Sequence, residues 1–513
     1  MSKSLNTYGE LNSEFLITAK RDLTDKLNLL VSAGGNLSKR TAEGMRNFGE
    51  DFKIPTKFFF SNTNKQTPGD SPQSIKKVNS LYGSANFAYD AFLYLDVTAR
   101  NDWSSTLGED NRSYMYNSAS LSALLNRFID PEQNLFNLIK LRASWAQVGN
   151  DTGPYQLYQT FSVPGEGYLG LTTLSSPSVK LNPDLKPETV ASTELGLELS
   201  MLSNRLTLEL SYYDMTTTDL IFNVPVPAAT GFSFFKENVG EVTNNGIEIT
   251  LGGTPIETET IRWNTALFYS KNKNKLVELI EGSKSLTYLT TNSGNLSLRA
   301  HVDGGIGDIY GTVWEKDDQG RHEVNANGIP IASTPDKFLG SAQPDWLGGW
   351  SNTISMKNLS LSFQIDARIG GKIYSETSSY LNASGVSKRS LKYRESGVVV
   401  DAINTDTTAK NTKSITGQQY WGAMSGIAEN YIYDQTNVRL REFAIGYRFS
   451  NLENFGIASA SLQLIGRNLF FLMKNADDID PENTLGTRIG VEGINSRSLP
   501  TTRSVGLNIT LNF

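Results

Sequence analysis

The sequence predicts an all-β protein, an antiparallel transmembrane β-barrel, on three observations. Apolar and polar residues alternate with period two in segment after segment; every second connection is short while those between are long and polar; and the last residues, VGLNITLNF, are themselves a strand. Composition agrees. Charged residues are 19% and aromatics 10%, with 44 Gly against 17 Pro among 513 residues, a mixture that suits strands and turns better than helices. The net charge of −6, with no basic stripe to track phosphates, argues against nucleic-acid binding. Absence of Cys excludes a disulfide framework, a thiolate metal site and a Cys nucleophile. No run of about 18 apolar residues occurs, which excludes an ordinary transmembrane helix but not a barrel, whose strands are only half apolar.

Taken in order, the alternation marks about fifteen strands, most longer than the globular average of roughly 5–6 residues. Their expected spans are 10–21, 26–38, 78–89, 92–103, 112–125, 136–149, 190–202, 204–222, 241–252, 260–272, 346–356, 358–370, 436–449, 458–471 and 502–513. In TELGLELSML, Leu195, Leu197, Leu199 and Met201 share one face and Glu194, Gly196, Glu198 and Ser200 the other. NRLTLELSYY sets Leu206, Leu208, Leu210 and Tyr212 against Thr207, Glu209 and Ser211. NLSLSFQIDARI sets Leu359, Leu361, Phe363 and Ile365 against Ser360, Ser362, Gln364, Asp366 and Arg368. A barrel places the polar parity toward its lumen, so Glu194, Glu198, Glu209, Asp366 and Arg368 are the expected lumen-facing residues.

Short turns are expected at 21–26, 89–92, 202–205, 356–359 and 450–456, and long polar loops at 39–77, 150–189, 273–345, 371–435 and 472–501. Outer-membrane barrels have short periplasmic turns and long outer loops, whereas a soluble sandwich or propeller has no reason to sort connections by length. The terminal strand follows from closure: the last strand must pair with the first, so it too needs a lipid-facing row. Val505, Leu507, Ile509, Leu511 and Phe513 form that row, with Phe513 at the interfacial aromatic girdle.

At this point a family resemblance becomes legible. LYGSANFAYDAFLYLDVTARNDWSSTLG (81–108), LIKLRASWAQVGND (138–151), LNPDLKPETVASTELGLEL (181–199), FKENVGEVTNNGIEITL (235–251), RWNTALFYSKNKNKLVEL (262–279), NVRLREFAIGYRF (437–449), LIGRNLFF (464–471), DIDPEN (478–483) and LPTTRSVGLNITLNF (499–513) resemble, in collinear order, the barrel segments of SusC/RagA-type TonB-dependent transporters of Bacteroidetes. The resemblance implies a plugged barrel of about 22 strands in the cell outer membrane, of which this chain would supply roughly the last fifteen. It also implies import of large nutrients, glycans or peptides, with a SusD-like surface lipoprotein as lid and energy from TonB–ExbB–ExbD. The C-terminal strand resembles the signal read by the barrel-assembly machinery.

Signal peptide, N-terminal extension, TonB box and plug have no counterpart in residues 1–513, and MSKSLNTYGELNSEF carries no apolar secretory stretch, so the expectation is a barrel portion with its front end missing. A partner chain would supply the missing strands, the fragment would close as a smaller pore, or it would not insert. A plugless diffusion porin and a non-functional truncated gene product stand as alternatives.

An outer-membrane hydrolase is a further alternative, but its residues are thin. His301 and His322 lie in an expected outer loop without ligands at zinc spacing, so no metal, cofactor or catalytic residue is expected. DDQGRHE (317–323) lacks the spacing of a calcium loop, and GGIGDIYG (304–311) lacks the Lys-Ser/Thr of a phosphate loop. Tyr310, Trp314, Trp421 and Tyr431 fall in the two longest loops. Their rings would stack on substrate, meet the lid, or pack the loops together.

Overall fold

The computed structural model describes the chain except residues 129–134, 164–167, 170, 281, 451, 453–455 and 487–490. Fifteen long strands are present: β1 (Ser2–Thr24), β2 (Leu27–Phe52), β3 (Gln73–Tyr89), β4 (Leu93–Ser104), β5 (Ser113–Leu124), β6 (Phe136–Asn150), β7 (Glu188–Met201), β8 (Leu206–Thr218), β9 (Glu241–Glu257), β10 (Ile261–Glu278), β11 (Trp346–Met356), β12 (Leu359–Ile369), β13 (Asn437–Phe449), β14 (Ser459–Lys474) and β15 (Ser504–Asn512). Each matches one expected segment, and their hydrogen-bonding order is their order in the sequence. The chain divides into two compact units, residues 1–127, 141–195 and 215–241 forming one and 128–140, 196–214 and 242–513 the other.

In the first unit β1 to β5 form an antiparallel ladder. The loop expected at 39–77 is largely strand: β2 runs on to Phe52, Thr63–Pro68 pairs with its far end, and β3 begins at Gln73. The segment KRTAEGMRNFGED hides this because both of its faces are polar. Backbone pairing continues where apolar alternation, which needs one greasy face, has stopped. Asp90 and Ala91 take φ of 50° and 57° in the three-residue β3–β4 connection, where the Phe92 N–H donates to the Tyr89 carbonyl at 3.1 Å to close the turn.

A second correction concerns 204–222. The strand stops at Thr218, Asp219 takes a positive φ of 56°, and Ile221–Pro225 joins a separate small sheet with Phe234–Asn238 and Val179–Lys180. A short polar side chain tolerates that backbone better than most, so Asp219 is where the segment can break.

In the second unit β10 to β15 pair antiparallel in succession. The register lines up one apolar row across four strands, Leu361–Ile445–Leu464–Leu507. Leu507 is 62% exposed and Leu464 49%, so this row faces outward rather than into a core. Ladder partners on the other parity are Gln364, Glu442 and Arg467.

The loops expected at 273–345 and 371–435 have structure of their own. Ser285–Thr290, Leu296–His301, Ile306–Gly311 and Lys337–Ser341 form a four-stranded sheet. Two short helices, α1 (Glu376–Ala383) and α2 (Gly417–Ser425), are capped by Ser375 and by Thr416, whose box with Gln419 satisfies both orphan amides. Leu296, Leu298, Ile309, Tyr374, Ala428, Tyr431 and Ile494 form their core. These elements are too short for periodicity to reveal. The turn expected at 450–456 lies partly outside the described residues. Among the described residues no helix is long and apolar enough to cross a membrane.

Candidate functional site

The polar face of the second unit gathers charge where β12, β13 and the segment after β14 meet. Arg441 has no ladder partner on either side, since the register steps from Leu440 to Glu442 against both β12 and β14. Such a bulge re-aims its side chain. The guanidinium donates from Nε to Asp366 at 2.6 Å, from Nη2 to Glu482 at 2.6 Å and from Nη1 to Asn468 at 2.9 Å. Arg439, two residues earlier, donates to the same Glu482 at 2.6 Å, approaches Asp480 at 3.8 Å and lies over the Phe471 ring at 4.5 Å. Its side chain is 4% exposed, so this charge is held almost out of water and depends on those partners.

Arg368 completes the group. It donates to the carbonyl of Ala342 at 2.7 Å and to Gln435 at 2.8 Å, and Gln435 in turn donates to the carbonyl of Glu492 at 3.2 Å. Arg368, Arg441, Asp366, Gln343, Glu482 and Glu492 line a cavity of about 600 Å³. Two buried atoms of these side chains have no hydrogen-bond partner, Nε of Arg368 and Oε2 of Glu492. The cavity therefore offers one spare donor and one spare acceptor, which can hold a polar ligand.

The other expected polar-face residues are also engaged. Glu194 pairs with Arg142 at 3.3 Å, Glu198 with Lys140 at 3.1 Å, and Glu209 stands on the polar parity of β8. Sequence reasoning named Asp366 and Arg368 but missed Arg439, Arg441, Asp480 and Glu482. The signal was present: NVRLREF places two arginines on one parity, and DIDPEN supplies the acids that meet them.

The loop aromatics divide. Tyr431 is fully buried, accepts a hydrogen bond from Asn382 at 3.2 Å, and burial pushes its phenol above the usual range. Trp421 is 7% exposed and donates to the carbonyl of Lys392 at 3.0 Å. Both pack the loops together and present no ring face to a ligand in this conformation. Trp314 is half-buried, donates to the carbonyl of Glu323 at 2.9 Å and stacks on His322 at 4.3 Å. Tyr310 is half-buried too, with Arg299 over its ring at 4.7 Å and Phe338 edge-on at 5.6 Å.

Burial first, then the Lys316 ammonium, hold the His322 imidazole below the usual histidine range, against the opposing pull of Glu429. His301 sits apart, its Nδ1 at 2.8 Å from the carbonyl of Val302. Among the described residues no three His, Cys, Asp or Glu side chains converge as a metal site. In the terminal strand Val505, Leu507, Ile509 and Leu511 are exposed along one row, with Phe513 just beyond it.

Comparison with known proteins agrees with this architecture. The family described as TonB dependent receptor-like, beta-barrel, matches residues 4–402. The TonB-dependent receptor P26 of Formosa agariphila is 28% identical, covering 99% of this chain and 54% of its own length. The TonB-dependent receptor SusC of Bacteroides thetaiotaomicron is 23% identical over 85% of this chain and 43% of its own length. The solved RagAB peptide transporter has the same fold, with a TM-score of 0.77 at 20% identity, covering all of this chain and 56% of the compared one. The chain thus belongs to the TonB-dependent receptor-like β-barrel family, whose members are outer-membrane proteins and not enzymes. It spans about half the length of the curated relatives it matches.

Proposed function

We propose that the chain is the barrel portion of a SusC-like importer of large nutrients, glycans or peptides, across the outer membrane. A SusD-like lipoprotein would act as its lid and TonB–ExbB–ExbD would supply energy. The observation that carries this reading is the meeting of two separated family segments: Arg439 and Arg441 of NVRLREF clamp Glu482 of DIDPEN. That clamp fixes a long loop against the polar face, which would narrow a lumen that a porin leaves open. A wall of charged side chains, with Asp366, Arg368, Glu194, Glu198 and Glu209 among them, would suit hydrated polar cargo. The spare donor of Arg368 and spare acceptor of Glu492 would complement an amide or a hydroxyl equally. Tyr310 and Trp314 are the loop rings left to meet cargo or lid. The β15 row ending at Phe513 would be the segment read by the barrel-assembly machinery.

The test is deletion of the gene in the source bacterium, with growth measured on oligosaccharides and on peptides as sole carbon source. Loss of one class, restored by the gene and abolished when the proton gradient is collapsed, is expected. Unchanged growth, or steady ion conductance of the purified protein in a planar bilayer, would overturn the reading.

A further inference from the structure

On the apolar side of the second unit lies a groove of about 420 Å³ beside the turn that joins β7 to β8. It exists because Gly253 stands where an outward side chain would be. A Cβ there would meet only the Arg205 carbonyl at 3.2 Å and the tip of Leu206 at 3.8 Å. Leu202, Leu206, Leu251, Pro255 and Leu267 form the walls. Leu267 is 49% exposed and shares the parity of Trp263, on the same face as the row that looks outward. The groove is therefore continuous with the outward-facing apolar surface.

Arg205 stands at its rim. The guanidinium donates from Nε to the carbonyl of Thr254 at 3.1 Å and from Nη2 to the carbonyl of Pro255 at 2.8 Å. Those bonds fix the fork at the turn end of the strands, and since Arg carries five N–H donors, others remain for an anion. The φ values of 55°, 58° and 64° at Leu202, Ser203 and Asn204 mark a tight turn, the kind that faces the periplasm in outer-membrane barrels. A fixed cation at headgroup depth above an apolar slot matches the two ends of a phospholipid.

We propose that this groove holds one acyl chain of an anionic phospholipid of the periplasmic leaflet, with its phosphate on Arg205. The inference rests on the outer-membrane placement of the family and is independent of what the protein imports. A lipid seated here fills the gap left by Gly253 and would fasten the β7–β8 and β9–β10 turns at one depth.

The protein would be purified from outer membranes in mild detergent and weighed intact in its native state, then delipidated and reloaded from vesicles containing phosphatidylglycerol and phosphatidylethanolamine. One phosphatidylglycerol retained per chain is expected. Leu267→Trp, which lays a larger ring over the slot, should lower retention at least tenfold, and Gly253→Leu should do the same by filling it. Arg205→Gln should keep a lipid but lose the preference for phosphatidylglycerol. Heat-modifiable migration on gels confirms that each variant is folded. Folded wild type that retains no lipid, or equal retention by wild type and both filled-groove variants, would overturn the proposal.

Discussion

Trp263 on β10 donates its indole N–H to the side-chain oxygen of Asn352 on β11 at 2.9 Å, while Trp350 on β11 donates back to Thr265 on β10 at the same distance. Thr265 and Asn352 are direct register partners, so the two indoles cross over a pair of polar side chains lying on the apolar face. Asn352 is only 2% exposed. Unsatisfied polar groups are costly against hydrocarbon, and here each oxygen is given a donor that brings its own apolar cover, while Nδ2 of Asn352 is left without a partner.

Trp263→Phe keeps the ring and removes the donor, leaving the oxygen of Asn352 unpaired. Stability should fall by about 1–2 kcal/mol, and adding Asn352→Leu should recover part of it, because no orphan remains. A double-mutant cycle by urea unfolding in detergent checks this; simple additivity of the two changes would count against the pairing.

Arg439→Met should cost about 3–5 kcal/mol, since it strips Glu482 and Asp480 of a nearly buried cation. Lys65→Met serves as the contrast. Its bridge to Glu50 at 3.2 Å joins side chains 66% and 61% exposed, so the loss should be about 0–1 kcal/mol and should shrink further in salt. Equal effects in the two variants would mean that the Arg439 cluster is no more than surface charge.

Acid should loosen the loop around His322. Its folded pKa lies below the ordinary histidine value, so as pH falls through the unfolded value the unfolded chain binds a proton before the folded one does. The contribution is full above about pH 6.5 and is lost on going lower. The protection of amides near Trp314 and His322, corrected for the slower intrinsic exchange in acid, should fall between about pH 7 and 5. His322→Phe, which keeps a ring on Trp314, should flatten that dependence.

Tyr431→Phe should cost about 1 kcal/mol through loss of the Asn382 bond, and Tyr431→Ala about 3–5 kcal/mol through the cavity it leaves. Neither should change cargo preference. Tyr310→Ala should weaken cargo uptake with little effect on stability, measured as uptake and unfolding on the same preparations; the reverse pattern would show Tyr310 to be packing and Tyr431 to be contact.

The strands were legible wherever one face is apolar, as in Leu359 to Ile369, because period-two alternation is the imprint of a wall between two solvents. Legibility failed where that condition lapses. Residues 39–52 continue a strand with polar side chains on both faces, so only their partners in β1 and β3 reveal it. The loop body escaped notice because its strands and helices are short and its core is assembled from distant segments: Leu296, Tyr374 and Ile494 meet only in three dimensions. The charged site was half visible for the same reason. Asp366 and Arg368 sit in a regular strand, whereas the aim of Arg441 depends on a bulge that no local pattern announces.

β2 is 26 residues long, about 86 Å of extended chain, and even inclined at about 45° it would climb about 60 Å, twice the thickness of a bilayer's hydrocarbon. Much of the β1–β2 hairpin therefore stands in water as rigid ladder rather than as pliant loop. To an antibody or a bacteriophage such a surface would be a fixed landmark rather than a moving loop. Escape from recognition there is constrained, because each altered residue must still sit opposite its partner, as Leu5 does Met45 and Tyr8 does Ala42.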